Sequence, residues 1–291
     1  MQVLAGSASK PFATALAADM AAPLVDAEIR RFPDGEAYVR LLGDVRGTDL
    51  AIVQATTPDA HLVEMLLLAD AAREAGAGCL TAVIPYLGYA RQDRVFAPGE
   101  AVSSRATLKA LASAFDRLVT VDPHKPEVLR FFGDAHAITA IPQLAAELAR
   151  WGVDAILAPD KGARDRAEAA AKLVGVPVDH MEKTRLSATE VRMNAKELDV
   201  RGRRVAIVDD LIASGGTMAT AALQLKAQGA THVYAACTHG VFTDNAVPRL
   251  LGSGIDRVLA TDTLPHHPGC HTVSASPAVA GLLRAQIPSS L

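Results

Sequence analysis

Residues Val205–Thr217, VAIVDDLIASGGT, set two carboxylates, two hydroxyls and two glycines between an apolar run and a helix-period segment. Gly215 and Gly216 allow the backbone to approach a ligand closely and to take a left-handed φ. The helix start that follows offers free N–H groups to an anion. Ser214 and Thr217 add hydroxyl donors, so the turn Ala213–Thr217 is a candidate phosphate nest. Asp209 and Asp210 cannot bind phosphate directly; beside such a nest they suit the hydroxyls of a sugar, or a metal. The apolar strand in front puts the group at a strand's carboxyl end, where open α/β sheets hold ligands. A capped strand-to-helix turn is the plain alternative, and the Asp-Asp pair behind four apolar residues weakens it.

Other segments also carry chemistry. Arg91, Gln92, Asp93 and Arg94 follow the apolar run ending at Ile84, and arginines there suit forked hydrogen bonds to polyphosphate. His124, in VDPHKPEVLRFFG, follows another apolar run. Asp160, in LAPDKGARDRA, reads as a magnesium or ribose ligand, or as a helix cap. FPDGE, Phe32–Glu36, is by itself a turn. Lys183 and Arg185 point to one side if the chain is extended, and by themselves read as a surface charge pair. PHHPGCH, Pro265–His271, gathers three histidines and a cysteine, but the spacing is not a structural zinc pattern and reads as a loop.

These residues need elements to hold them. Strands are expected at Ala51–Gln54, Leu80–Ile84, Leu118–Val121, Ala155–Ala158, Val205–Val208 and Val233–Cys237. Helices are expected at Ala60–Ala75, Ser103–Ala114, Gln143–Trp151, Asp165–Val174 and Met218–Gln228. Alternation of unbroken apolar strands with helices predicts an α/β fold of mainly parallel sheets covered on both faces. One unit occurs twice, from Ala51 and from Ala206. Each copy opens on Ala-Ile-Val, continues through a polar loop and a helix ending at Gly-Ala, and closes on a second apolar strand. Two similar domains follow, residues 1–142 and 143–291, with Pro142 at the break.

The chain has 291 residues, half of them hydrophobic, enough for a core in each domain. Its net charge of −3 and lack of a basic patch argue against nucleic acid. The most apolar stretch, near Leu62–Leu68, is interrupted by Glu64 and followed by Asp70, which argues against a membrane span. Three scattered cysteines without a Cys-x-x-Cys pair, and an N-terminus without a signal-like apolar leader, predict a cytoplasmic protein.

VDDLIASGGT resembles the PRPP-binding fingerprint shared by type I phosphoribosyltransferases and ribose-phosphate pyrophosphokinases, PRPP being phosphoribosyl pyrophosphate. FPDGE, GYARQD, DPH, PDKGA and Lys-x-Arg, with THGVF and TDTLP, occur in the order of the second family and cover most of the chain. The chain is most similar to that family's compact archaeal-type forms. It departs at Ala101, Pro123 and Lys161, where proline, leucine and glycine are common.

The resemblance implies two type I phosphoribosyltransferase-like domains. It implies transfer of the β,γ-diphosphoryl group of MgATP to the 1-hydroxyl of ribose 5-phosphate, giving PRPP and AMP. Phe32 would stack on adenine, with Asp34 and Glu36 accepting hydrogen bonds from it. Arg91 and Gln92, and more weakly Asp93, would contact ATP. His124 would lie at the metal–triphosphate site and Asp160 at the Mg2+ and ribose end. Asp209 and Asp210 would orient ribose, and Ala213, Ser214, Gly215, Gly216 and Thr217 would hold its 5-phosphate. Lys183 and Arg185 would be the principal catalytic residues, on a loop closing over the transferred diphosphate. A homo-oligomer, a dimer or larger, with its ATP site near a subunit interface is also implied. Two alternatives use the same fold. A PRPP-consuming phosphoribosyltransferase has no need of FPDGE or RQDR, and a non-catalytic regulatory relative of the synthetases would have lost site residues.

Overall fold

The computed structural model describes residues 1–185, 191–195, 198–243 and 245–286; for 182–185, 191–195 and 286 it describes the backbone alone. The chain divides into two compact units. One holds Met1–Thr139, Thr263–Pro265 and the stretch from Ser274; the other holds Ala140–Asp262 and His266–Val273.

The first unit opens with β1 (Gln2–Ala5), α1 (Lys10–Met20) and β2 (Leu24–Val25). A hairpin of β3 (Ala27–Arg31) and β4 (Ala37–Leu41) follows. Then come β5 (Leu50–Val53), α2 (Asp59–Glu74), β6 (Leu80–Ile84), α3 (Ser103–Ala112), β7 (Arg117–Val121) and β8 (Ala135–Ile138). The second unit runs α4 (Ile141–Arg150), β9 (Ala155–Ala158), α5 (Arg164–Val174), β10 (Val178–Arg185) and β11 (Val191–Ala195). It continues with β12 (Arg204–Ile212), α6 (Gly216–Ala227), β13 (His232–Gly240), α7 (Ala246–Gly252), β14 (Arg257–Thr261) and β15 (His271–Val273). The helix α8 (Ser276–Gln286) returns to the first unit.

The sheets have the orders β2-β1-β5-β6-β7-β8 and β11-β10-β9-β12-β13-β14-β15, and the hairpin β3-β4 is a separate ribbon. Pairings in both large sheets are parallel except β10 with β11. Burial explains the central strands: every residue of β5, β6 and β9 is buried, as parallel strands covered on both faces require. On β12 the alternation is explicit. Val205 and Ile207 enter one apolar cluster with α6 residues such as Leu225, while Ala206 and Val208 enter another with Ala167 and Ala170 of α5.

The repeat read in the sequence reappears bond for bond at the amino ends of the strands. Gly47 N–H donates to Gly76 O at 2.8 Å, and Gly202 N–H donates to Gly229 O at 2.8 Å. Ala77 N–H donates to Ala72 O, as Ala230 N–H does to Leu225 O, both at 3.0 Å. Asp116 accepts from Leu80 N–H at 2.7 Å and from Arg73 at 2.6 Å. Asp256 accepts from Val233 N–H and from Lys226, both at 2.8 Å. Among the described residues, no helix is long and apolar enough to cross a membrane.

Candidate active site

In the second unit, Asp160 follows β9, Asp209 and Asp210 lie near the end of β12, and Thr238 lies near the end of β13. These strands are parallel, so the residues share the sheet's carboxyl edge. Gly215 precedes α6 with φ +72°, and a Cβ there would also stand 3.0 Å from Leu250 Cγ. Both facts call for glycine. Among the described residues no side chain caps α6 and no acid stands in its first turn, so its opening amides suit an anion. Ser214 and Thr217 are exposed beside them.

The acidic pair is strongly interacting. Asp209 is half-buried, and Asp210 N–H donates to its Oδ1 at 2.8 Å. Asp210 is 4% exposed and pairs with Arg166 of α5, Nη2 to Oδ2 at 3.5 Å. Burial, then the hydrogen bond and charge of Asp210, with a further push from Asp160, raise the Asp209 carboxyl to about 8. Converging carboxylates of this kind attract hydroxyl donors or a cation. Asp160 uses Oδ1 to cap the short turn Lys161–Ala163, accepting from Gly162 N–H at 2.8 Å and Ala163 N–H at 3.2 Å. The cap expected from the sequence is thus present, and it engages Oδ1.

Arg166 and Arg249 escaped the sequence reading. Arg249, on α7, donates Nη1 to Ser214 O at 2.9 Å and so braces the Ala213–Thr217 turn. Nothing local marks either arginine, since each reaches the site from a helix distant in sequence. Lys183 and Arg185 lie on β10, in antiparallel register with Met193 and Val191. Their side chains, and residues 186–190 between the two strands, lie outside the described residues.

In the first unit, FPDGE is the tip of the β3–β4 hairpin, with Phe32 N–H donating to Glu36 O at 2.9 Å. Phe32 is 40% exposed; Tyr38 meets it edge-on at 5.9 Å, and the Arg30 guanidinium lies over both rings. Asp34 accepts from Glu36 N–H at 3.1 Å, and both carboxylates are exposed. Arg91 is exposed after β6, with Asp93 half-buried nearby. Gln92 turns toward its own loop, its Nε2 within 3.3 Å of Glu100 Oε2. His124 is half-buried after β7, just past Asp122 in a left-handed conformation. The strands β6 and β7 are parallel, so Arg91 and His124 follow the same edge of this sheet.

The loop Pro265–His271 sends its side chains to separate partners. His266 Nδ1 lies 2.9 Å from Thr272 Oγ1, and His271 Nε2 lies 3.2 Å from Glu147 Oε1. Among the described residues, no group of three or more His, Cys, Asp or Glu could hold a metal ion by itself.

Comparison with known proteins agrees along the whole chain. The family model for the N-terminal domain of ribose phosphate pyrophosphokinase matches residues 1–114, and that for the phosphoribosyl synthetase-associated domain matches residues 162–278. A ribose-phosphate pyrophosphokinase of Methanopyrus kandleri is 45% identical over 285 residues, 96% of this chain and 97% of its own. That of Pyrococcus furiosus is 46% identical, over 84% of this chain and 88% of its own. The crystal structure of phosphoribosylpyrophosphate synthetase from Mycobacterium smegmatis shares the fold with a TM-score of 0.86 at 31% identity, covering 98% of this chain and 97% of that one.

Proposed function

Because the chain belongs to the ribose-phosphate pyrophosphokinase family, we propose that it moves the β,γ-diphosphoryl group of ATP to the 1-hydroxyl of ribose 5-phosphate, releasing AMP and PRPP. The observation that carries the reading is the juxtaposition of Asp209 and Asp210 with the uncapped Gly215–Thr217 turn on one strand end. An anion nest beside paired carboxylates matches a phosphorylated sugar better than either feature alone.

The residues divide the work as follows. Backbone amides of Gly216 and Thr217, with the Ser214 and Thr217 hydroxyls, grip the 5-phosphate. Asp209 and Asp210 accept hydrogen bonds from the ribose hydroxyls, and Arg166 of α5 holds the Asp210 carboxylate in place. Phe32 receives the adenine face, Asp34 and Glu36 its polar edge, and Arg91, Gln92, Asp93 and His124 the phosphates. Lys183 and Arg185 meet the negative charge that redistributes as the diphosphate moves, which is where fixed cations lower a barrier most. The first unit thus serves the nucleotide and the second the sugar phosphate.

We also propose that the nucleotide is used as its Mg2+ complex. Asp160 in the second unit and His124 in the first are the metal contacts that the family resemblance implies, His124 directly or through water, and Mg2+ is held by one or two carboxylates plus phosphates and water rather than by a closed protein cage. Bound with the nucleotide, it would supply charge neutralisation along the triphosphate. We also place the protein in the cytoplasm as a homo-oligomer, a dimer or larger, with exposed Val63 and Leu67 of α2 near the nucleotide hairpin supporting a subunit contact there.

The regulatory alternative is not favoured, because relatives matching most of the chain are named as enzymes. The test is incubation with MgCl2, ATP and ribose 5-phosphate, followed by chromatography. Equal amounts of AMP and PRPP are expected; AMP formation independent of ribose 5-phosphate would sink the proposal.

A further inference from the structure

We infer that Arg31 and the buried carboxylate of Glu64 form a positioning pair that fixes the tip of the β3–β4 hairpin for nucleotide binding. The inference rests on the reading of FPDGE as a nucleotide contact and deepens it.

The β3–β4 ribbon belongs to neither large sheet. Among the described residues the strands β3 and β4 pair only with each other, and a two-stranded hairpin by itself is marginally stable in water. Its place must come from side-chain contacts. The apolar residues Ile29, Val39 and Leu41 pack on the core of the first unit, which holds the base of the ribbon. They do not fix the tip, where Phe32–Glu36 are all exposed.

Arg31 reaches the tip. Its Nη1 donates to Gly35 O at 3.2 Å, in the middle of FPDGE, and its Nη2 donates to Ala60 O at 3.5 Å in the first turn of α2. The same Nη2 stands 3.6 Å from Glu64 Oε2. One guanidinium therefore ties the hairpin turn to helix α2, a task for which its planar fork is suited.

Glu64 supplies the other half. It is 1% exposed, and a carboxylate that deep costs stability unless hydrogen-bonded. Ser7 N–H and Ser7 Oγ each donate to it at 2.7 Å, and Gln54 Nε2 donates at 2.8 Å. These donors are neutral and lock the carboxylate in one orientation at the ends of β1 and β5. Its charge is answered by Arg31. The anion is thus rigid and the cation is the mobile partner, so the pair sets where Arg31, and with it Gly35 O, comes to rest. The helix α2 makes a second tie to the nucleotide segments, because Tyr89 Oη, two residues before Arg91, donates to Asp59 Oδ1.

The test is steady-state kinetics of the full chain with three variants. Arg31→Ala removes a side chain that is 39% exposed and leaves the three neutral hydrogen bonds to Glu64 in place. Its KM for ATP should rise about tenfold, with kcat and the KM for ribose 5-phosphate within about twofold of the parent. Arg31→Lys keeps the charge but not the fork, and should recover part of the loss. Phe32→Ala is the control for the underlying reading. An unchanged ATP KM in Phe32→Ala removes the hairpin from the nucleotide site and this inference with it. A raised ATP KM in Phe32→Ala but an unchanged one in Arg31→Ala overturns the inference alone.

Discussion

The strands β5 and β12 share an Ala-Ile-Val and occupy corresponding places in the two sheets, yet the chain ends them in opposite ways. After Val53 stands Gln54, whose amide donates to Glu64 and accepts from Ala8 N–H at 3.0 Å. That end is closed by internal hydrogen bonds. After Val208 stand Asp209 and Asp210, and β12 runs on to the left-handed Gly215 and an uncapped helix. At the opposite edge the copies agree in turn, helix end and carboxylate clip. The difference teaches that the frame is kept by bonds at the amino ends, while the carboxyl ends are free to diverge, as loops held by a rigid scaffold generally are. The inserted hairpins extend the contrast. Ahead of β5 and β12 in sequence each unit carries an antiparallel hairpin, the separate ribbon β3–β4 with FPDGE in one and, at the edge of the large sheet, β10–β11 with Lys183 and Arg185 in the other.

The largest expected effect separates the two hairpins. Lys183→Ala should cut kcat about 10³-fold while leaving ATP binding by calorimetry near that of the parent. Phe32→Ala should instead raise the ATP KM about tenfold, the scale of one lost base stack, with kcat nearly intact. Equal effects on kcat would erase the contrast.

Next is the turn that only the second copy possesses. Gly215→Ala forces a side chain into φ +72° against Leu250 and should cost about 1–2 kcal/mol of stability. Its KM for ribose 5-phosphate should rise more than its KM for ATP. Denaturant unfolding beside initial-rate kinetics would show both.

Asp209 makes a subtler test, because asparagine there imitates the neutral amide of Gln54. The folded carboxyl titrates near 8 and the ordinary value is 3.8, so between these pH values the folded state holds the extra proton. Stability from this group is therefore greatest below about pH 4 and is lost as pH rises toward about 8. Thermal midpoints in magnesium-free buffer should fall less over that window for Asp209→Asn than for the parent. Parallel curves would show that the carboxylates do not strain the free protein.

The smallest effect is expected where the copies agree. Lys226→Ala breaks a partly exposed pair with Asp256 and should cost only about 0.5 kcal/mol, without changing turnover. The corresponding change, Arg73→Ala, should cost about the same.

The central strands and the helices α2 to α6 were legible because unbroken apolar runs and helical spacing are local signals. The edge strands β2 and β15, of two and three residues, are too short to show a period. Legibility of the site follows the same rule. The Asp209–Thr217 segment declares itself as a candidate site because its glycines, hydroxyls and acids are contiguous. Arg166 and Arg249 do not, since their roles arise only when helices distant in sequence meet the turn. Glu64 is the sharpest case, reading in the sequence as a charge that spoils an apolar run and standing in the fold as a buried, fully engaged carboxylate. The family resemblance, rather than spacing, singled out Lys183 and Arg185.

The helix α8 completes the first unit from the far end of the chain. Val279, Ala280 and Leu283 are buried there, and Ser276 and Arg284 bond Asp19, the Ser276 contact spanning 257 residues. A ribosome making this protein therefore releases every strand of the second unit before it can supply the last piece of the first. The half that is translated first is the half that matures last, and until then the nascent chain carries α1 with part of its surface still waiting for cover.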